Sequence, residues 1–234
     1  MGQGACAGAP PRSLETIGEA EVRRYLFAAV AGLGGAAILA ALGFWQLARA
    51  EWKDTILSRI EARIAAEPVP VPAAPDPEAD RYLPVRATGM TGARELHVLV
   101  SQKSLGAGFR IVTAFETEAG RRLLLDRGFV PDEAKEAARP PQTLTVTGNL
   151  HWPEERDGFT PDDDPEANYW FARDVPVMAE ALGTEPVLIV ARATAPPQEG
   201  IRPMPVGTEG IPDNHLGYAV QWFGMAIVWL GMTA

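Results

Sequence analysis

The sequence predicts a membrane α+β protein: two transmembrane helices bracketing an exported antiparallel β domain, sandwich- or barrel-like, with one short helix. Three observations carry this. Two uncharged apolar runs stand near the ends of the 234 residues, at 25–48 and 215–234. Between them lies a series of short β-rich runs, separated by turn residues at intervals of about a dozen. One amphipathic segment with capping residues, 174–183, interrupts that series.

The first run, "YLFAAVAGLGGAAILAALGFWQLA", has 24 residues. At about 1.5 Å per residue it reaches roughly 36 Å, enough for a hydrocarbon core of about 30 Å. Arg23 and Arg24 precede it, and Ala48-Arg49-Ala50 resembles a leader-cleavage site. Leader h-regions are only about 7–15 residues long, and Phe44, Trp45 and Gln46 would be odd just before a cut. An uncleaved anchor over 23–48 is therefore expected. The Ala- and Gly-rich residues 1–22 before it are expected to be a disordered tail. Ala28, Gly32, Ala36 and Ala40 recur every four residues and form a small face that lets a second membrane helix approach. Residues 49–66 continue as an amphipathic helix with Trp52, Ile56, Ile60 and Ile64 on one stripe. The prolines of "EPVPVPAAPDPE" then end it.

Residues 67–213 form the expected β-rich domain. Its strands are expected at 82–90, 95–101, 109–115, 121–130, 142–150 and 186–194. An acidic loop covers 151–171. The short helix 174–183 has Asp174 as N-cap and Gly183 as C-cap. A second Pro/Gly-rich linker leads to the last apolar run, and residues 214–234 are expected to be the second span.

Charge and composition exclude some functions. The formal net charge of −9 gives no basic face for nucleic acid. The single cysteine, Cys6, excludes a disulfide framework and a cysteine-based metal site. Two spans put both termini on one side. Arg12, Arg23 and Arg24 lie before the first span, and Arg49, Lys53, Arg59 and Arg63 after it, so flanking charge does not decide the side. The long 49–213 segment carries 18 basic and 27 acidic residues. Long loops translocate largely regardless of charge. The expectation is cytoplasmic termini and an exported, acidic domain in the periplasm, anchored in the cell inner membrane.

Candidate chemistry is sparse. His97 sits in a strand and reads as a packing residue. His151 begins the acidic loop and could meet Asp162, Asp163 or Asp164 at a metal, though adjacent loop aspartates usually only face water. No Gly-rich phosphate loop and no nucleophile elbow occurs, so no enzyme is expected. The third histidine, His215, opens the second span. On a helix His215, Ala219 (or Tyr218), Trp222, Ala226 and Trp229 share one side. Small and flat residues below an imidazole could accept a flat apolar ring system. Neutral imidazole is a metal ligand, and histidine is the common axial ligand of haem iron. The alternative is that His215, Tyr218, Trp222 and Trp45 are interfacial anchors of an aromatic belt.

Several stretches together resemble one family. "GFWQLARAEWK" (43–53), "GFRIVTAF" (108–115), "LLLDRGFVP" (123–131), "NYWFARDVPVMAEALG" (168–183) and "NHLGYAVQWF" (214–223) are similar, in order, to the Surf1/Shy1 family. The family more often has Asn-Arg-Gly-Trp where this chain has Asp126-Arg127-Gly128-Phe129. Its members usually run on into a short charged tail after the second span, whereas this sequence ends at Ala234. The resemblance implies a factor that assists assembly of haem–copper cytochrome c oxidase, binds haem a and helps insert it into the catalytic subunit. The haem a synthesis machinery and membrane lipid are the other partners it implies. Carried over, the histidine of the second-span signature is His215, with Tyr218 and Trp222 beside the ring and Gly32 and Ala36 sheltering the ring and its apolar tail. Arg127 and Trp170 match further family positions without an evident chemistry. The rival expectation is a protein-only scaffold for an assembly intermediate, in which His215 is an anchor.

Overall fold

A computed structural model describes residues 18–102, 105–208 and 211–233. Two compact units appear: one contains the chain through Asp54 together with Pro212–Ala234, the other Thr55–Ile211.

The first unit is a helix pair. Helix α1, Glu19–Ile64, runs unbroken for 46 residues through the apolar run and the charged segment behind it. No proline interrupts it, and Glu19 and Glu21 stand in its first turn, where the helix dipole favours acidic groups. It starts inside the segment expected as a tail, so 19–22 are helical; 1–17 lie outside the described residues. Pro68 lies just past its end, where proline restricts the preceding residue. Helix α3, His215–Thr233, is the second apolar run. Both helices are long and apolar enough to cross a membrane, yet only 17% of the most apolar window of α1 and 11% of that of α3 is buried. Leu26, Phe27, Val30, Leu33, Ile38, Val220, Ile227 and Met232 point outward. A core helix of a soluble protein would hide such residues, and exposed apolar surface of this extent calls for an apolar solvent.

The helices run antiparallel. Gly32 faces Thr233, Gly35 faces Trp229 and Gly43 faces the Phe223 ring. Gly32, Ala36 and Gly43 of α1 and Ala219 and Ala226 of α3 are buried in the contact. The expected small face thus meets the second span, extended to Gly43. Close backbone approach is what packs helices where no hydrophobic effect drives them together. Phe44 meets Phe223 edge-on at 5.2 Å, and Lys53 Nζ donates to the carbonyl of Pro212, just ahead of α3.

The second unit is one barrel-like sheet. Its strands are β1 (Val69–Pro70), β2 (Pro84–Gln102), β3 (Gly106–Thr117), β4 (Arg122–Pro131), β5 (Thr143–Leu150) and β6 (Leu188–Ala195). Helix α2, Val175–Leu182, precedes β6. The order is β1-β2-β3-β4-β6-β5, and β2 also pairs with β5, which closes a ring. Of the two forms expected, sandwich or barrel-like, the sheet takes the barrel-like one. One expectation is corrected: the sheet is mixed rather than antiparallel, because β4 pairs β6 in parallel and β1 pairs β2 in parallel. A parallel pair needs a long crossover, and the chain from β4 to β6 runs through β5, the loop after it and α2.

The strands expected at 82–90 and 95–101 are a single β2, with a register shift between Thr91 and Glu95. Its first part pairs β5 and its second part β3, so the irregularity bends the strand from one neighbour to the other. Gly89 sits at that handover, where a Cβ would strike the backbone of Thr117, 2.8 Å from its Cα.

Alternation along β4 divides the core. Leu123 and Leu125 join Val85, Phe115, Leu144 and Ile189 on one face. Leu124 joins Leu96, Val98, Leu188, Trp170 and the α2 residues Val175 and Met178 on the other. Helix α2 is set by its caps: Asp174 accepts from Val177 N–H at 3.3 Å, and Gly183 adopts the left-handed conformation at φ 64°, which costs glycine nothing.

Candidate functional site

His215 opens α3 and is half-buried. Its backbone N–H donates to Asp213 Oδ1 at 3.3 Å, an N-cap-like contact at the helix start. Its ring reaches across the helix pair: Nδ1 lies 2.8 Å from Oε1 of Gln46 on α1. With the glutamine oxygen as partner Nδ1 is the donor, and a ring in that tautomer would carry its lone pair on Nε2. One turn before Gln46 the helices touch, where Gly43 meets the Phe223 ring.

The other sequence-expected residues divide into two groups. Tyr218 and Trp222 follow His215 on α3; Tyr218 is exposed and Trp222 half-buried. Gly32 and Ala36 do not join them. They lie 14 and 10 positions before Gln46 on α1, roughly 21 and 15 Å along the helix. Gly32 is already covered by Thr233, whose Cβ would be 3.0 Å from a Cβ placed there. Ala36 is likewise buried in the helix contact. Gly32 lines a small hollow of about 170 Å³ with Ala28, Leu33, Leu230 and Thr233, apart from His215. The side shared by His215, Ala219, Trp222 and Ala226 is the one that could accept a flat ring, and its two alanines are buried. The open apolar surface lies on the next flank. There a groove of about 640 Å³ is lined by Leu39 of α1 and, on α3, by Gly224, Met225, Val228, Trp229 and Met232.

The histidines of the β unit have structural partners. His97 is buried, with Nε2 3.0 Å from Glu95 Oε1. Glu95 also receives Arg139 Nε at 2.8 Å. Burial works against the Glu95 charge, but hydrogen bonds from His97 and Arg139 hold its carboxyl below the usual range. His151 stacks on Tyr82 at 5.4 Å. Burial, aided by the charge of Arg173, pushes its pKa down to about 4. The loop aspartates are occupied by the loop itself: Asp163 accepts from Phe171 N–H at 2.8 Å, and Asp164 from Ala167 N–H at 3.0 Å. Among the described residues no group of three or more His, Cys, Asp or Glu could hold a metal.

The pattern of the SURF1 family matches residues 33–227. The chain belongs to the SURF1 family. It is 30% identical to human surfeit locus protein 1 over 211 residues, covering 79% of this chain and 69% of the human protein. The mouse protein of the same name is 29% identical, covering 79% and 67%. A SURF1-like protein of Monosiga brevicollis is 30% identical over 217 residues, covering 82% and 80%.

Two residues that sequence comparison with the SURF1 family left without a role gain one from the fold. Arg127 is buried, donates to Gln198 Oε1 at 2.5 Å and lies 3.7 Å from Glu95. Trp170 closes the loop onto β2: its N–H donates to His97 O at 3.0 Å and its carbonyl accepts from Leu99 N–H at 2.8 Å. Both build the domain. The aspartate found where the SURF1 family more often has asparagine, Asp126, is fully buried between Arg110 and Arg173. Two guanidinium groups there favour a carboxylate over an amide. Gln46 also carried no role in the sequence, and its partner is 169 positions away.

Proposed function

We propose that this SURF1-family chain is an assembly factor for haem–copper cytochrome c oxidase that binds haem a on His215 and hands it to the catalytic subunit. The observation that carries the reading is the His215–Gln46 pair, which leaves Nε2 as the lone-pair nitrogen on a half-buried ring. A donor of this kind suits ferric or ferrous haem iron. Haem a would supply the low-spin or high-spin iron centre that the oxidase later uses.

The roles of the chain's own residues follow from their positions. His215 ligates through Nε2, and Gln46 keeps the opposite nitrogen protonated. Trp222 and Tyr218 offer flat surfaces beside the ring. The apolar groove along Met225, Val228 and Met232 takes the apolar tail. The β unit docks the oxidase subunit. The protein sits in the cell inner membrane with both termini cytoplasmic and the β unit in the periplasm, next to the machinery that makes haem a.

A second reading has an observation of its own. The buried face of α3 is filled by α1, and a histidine–glutamine bond also suits a strut between two membrane helices. On this reading the chain is a protein scaffold and binds no haem. One comparison separates the two. The full-length chain and its His215→Ala variant are purified from a host that makes haem a, and their optical spectra are recorded. A haem a band present in the parent and lost or shifted in the variant supports ligation. Equal bands in both, or none in either, would overturn it.

A further inference from the structure

We infer that Gln46 is the positioning residue of this site: it fixes His215 in the Nδ1–H tautomer and so selects Nε2 as the ligating atom. The inference rests on the haem reading above for its purpose, but its physical content concerns the chain alone.

The argument begins with the bond. His215 Nδ1 and Gln46 Oε1 are 2.8 Å apart, on different helices, with both residues half-buried. A histidine side chain in water exchanges between two neutral tautomers and favours the Nε2–H form. An acceptor fixed against Nδ1 reverses that preference by the worth of one hydrogen bond, about 1 kcal/mol or more away from bulk water. Metal-binding histidines are usually held in this way, with the second ring nitrogen donating to an oxygen that orients the ring and raises its basicity.

Gln46 is itself held in place. Gly43, one turn before it, admits the Phe223 ring; a Cβ there would come within 2.7 Å of that ring. Two turns after Gln46, Lys53 donates to Pro212 O, three residues before His215. The helix pair is thus fastened on both sides of the bond. Glutamine suits this task near an apolar medium. It offers a strong acceptor without the desolvation cost of a carboxylate.

The test uses the full-length chain in detergent micelles with ¹⁵N-labelled histidine, and added hemin as probe. The ring ¹⁵N shifts of His215, assigned against His215→Ala, report the tautomer without any haem. The expected result is Nδ1–H in the parent. In Gln46→Ala the Nε2–H form takes over, and hemin binds about tenfold more weakly. Gln46→Glu keeps an acceptor, so it keeps the Nδ1–H tautomer and parent-like hemin affinity, and lowers the reduction potential of bound hemin. A merely structural role for Gln46 would not separate alanine from glutamate in this way.

An Nε2–H tautomer in the parent, as arises if the Gln46 amide NH₂ donates to Nδ1, would overturn the inference. So would a tautomer unchanged in Gln46→Ala. Hemin binding equal in the parent and His215→Ala fails the haem reading, and with it the selection of Nε2 for a ligand. The ¹⁵N result would still show whether Gln46 sets the tautomer.

Discussion

His151 is held against protonation. It is packed against Tyr82, its backbone N–H donates to Leu188 O at 3.0 Å, and its buried Nδ1 has no partner among the described residues. Burial first, and the charge of Arg173 second, lower its pKa from 6.5 to about 4. The unfolded chain therefore binds a proton between these values that the folded chain refuses. Stability is complete above pH 6.5 and falls as the pH drops toward 4, by up to about 3 kcal/mol. The depressed carboxylates Glu95 and Glu155 weaken the fold only lower, as the pH falls below their ordinary value of 4.5. Denaturant unfolding of the full-length chain in detergent at pH 7, 6 and 5 should give decreasing midpoints, and His151→Gln should flatten that slope. An unchanged slope in the variant would assign the acid sensitivity elsewhere. At this scale the sequence was legible where a residue's neighbours are close in the chain. It was opaque for Arg127 and Gln46, whose partners come from distant segments.

At the scale of elements, periodicity carried far. The every-fourth-residue small face of the first span is the face that α3 covers, and the caps Asp174 and Gly183 do bound α2. The sequence missed the continuity of β2, because the Gly92 segment between 90 and 95 read as a turn. In the sheet Gly89 and Gly92 allow a close backbone contact and a register shift instead. It also could not show that Gly32 and Ala36 of the small face are buried, since a stripe of glycine and alanine looks the same whether it meets a helix or a ligand. That occupancy is testable. Gly32 and Thr233 adjoin so closely that Gly32→Cys with Thr233→Cys, in a Cys6→Ser background, is expected to cross-link under mild oxidation in membranes. Adding Gly43→Leu puts a branched side chain where the Phe223 ring lies and should lower the yield severalfold by prising the helices apart. Efficient cross-linking despite Gly43→Leu would mean that Gly43 does not set the packing.

For the whole molecule, composition indicated two apolar helices around a β domain, but strand order lay beyond it. The ring closes through β2–β5 and the parallel β4–β6 pair, both long-range, and spacing along the chain carries no information on either. Membrane topology is a separate matter, because it depends on the chain's connectivity and not on the sheet. If α1 and α3 both cross, everything between them shares one side and the two termini share the other. Charge does not choose the side, since Arg49, Lys53, Arg59 and Arg63 follow the first span and long loops translocate largely regardless of charge. The exposed loop at Gly158 and Phe159 is a site where an inserted domain leaves the sheet pairing untouched. A reporter active only after export should therefore be active when inserted there and inactive when fused ahead of residue 18. The opposite pattern would put the β unit in the cytoplasm. His215, which follows directly from that unit at the start of α3, would then lie at the inner face of the membrane, and a hand-over of haem from the outer face would be ruled out.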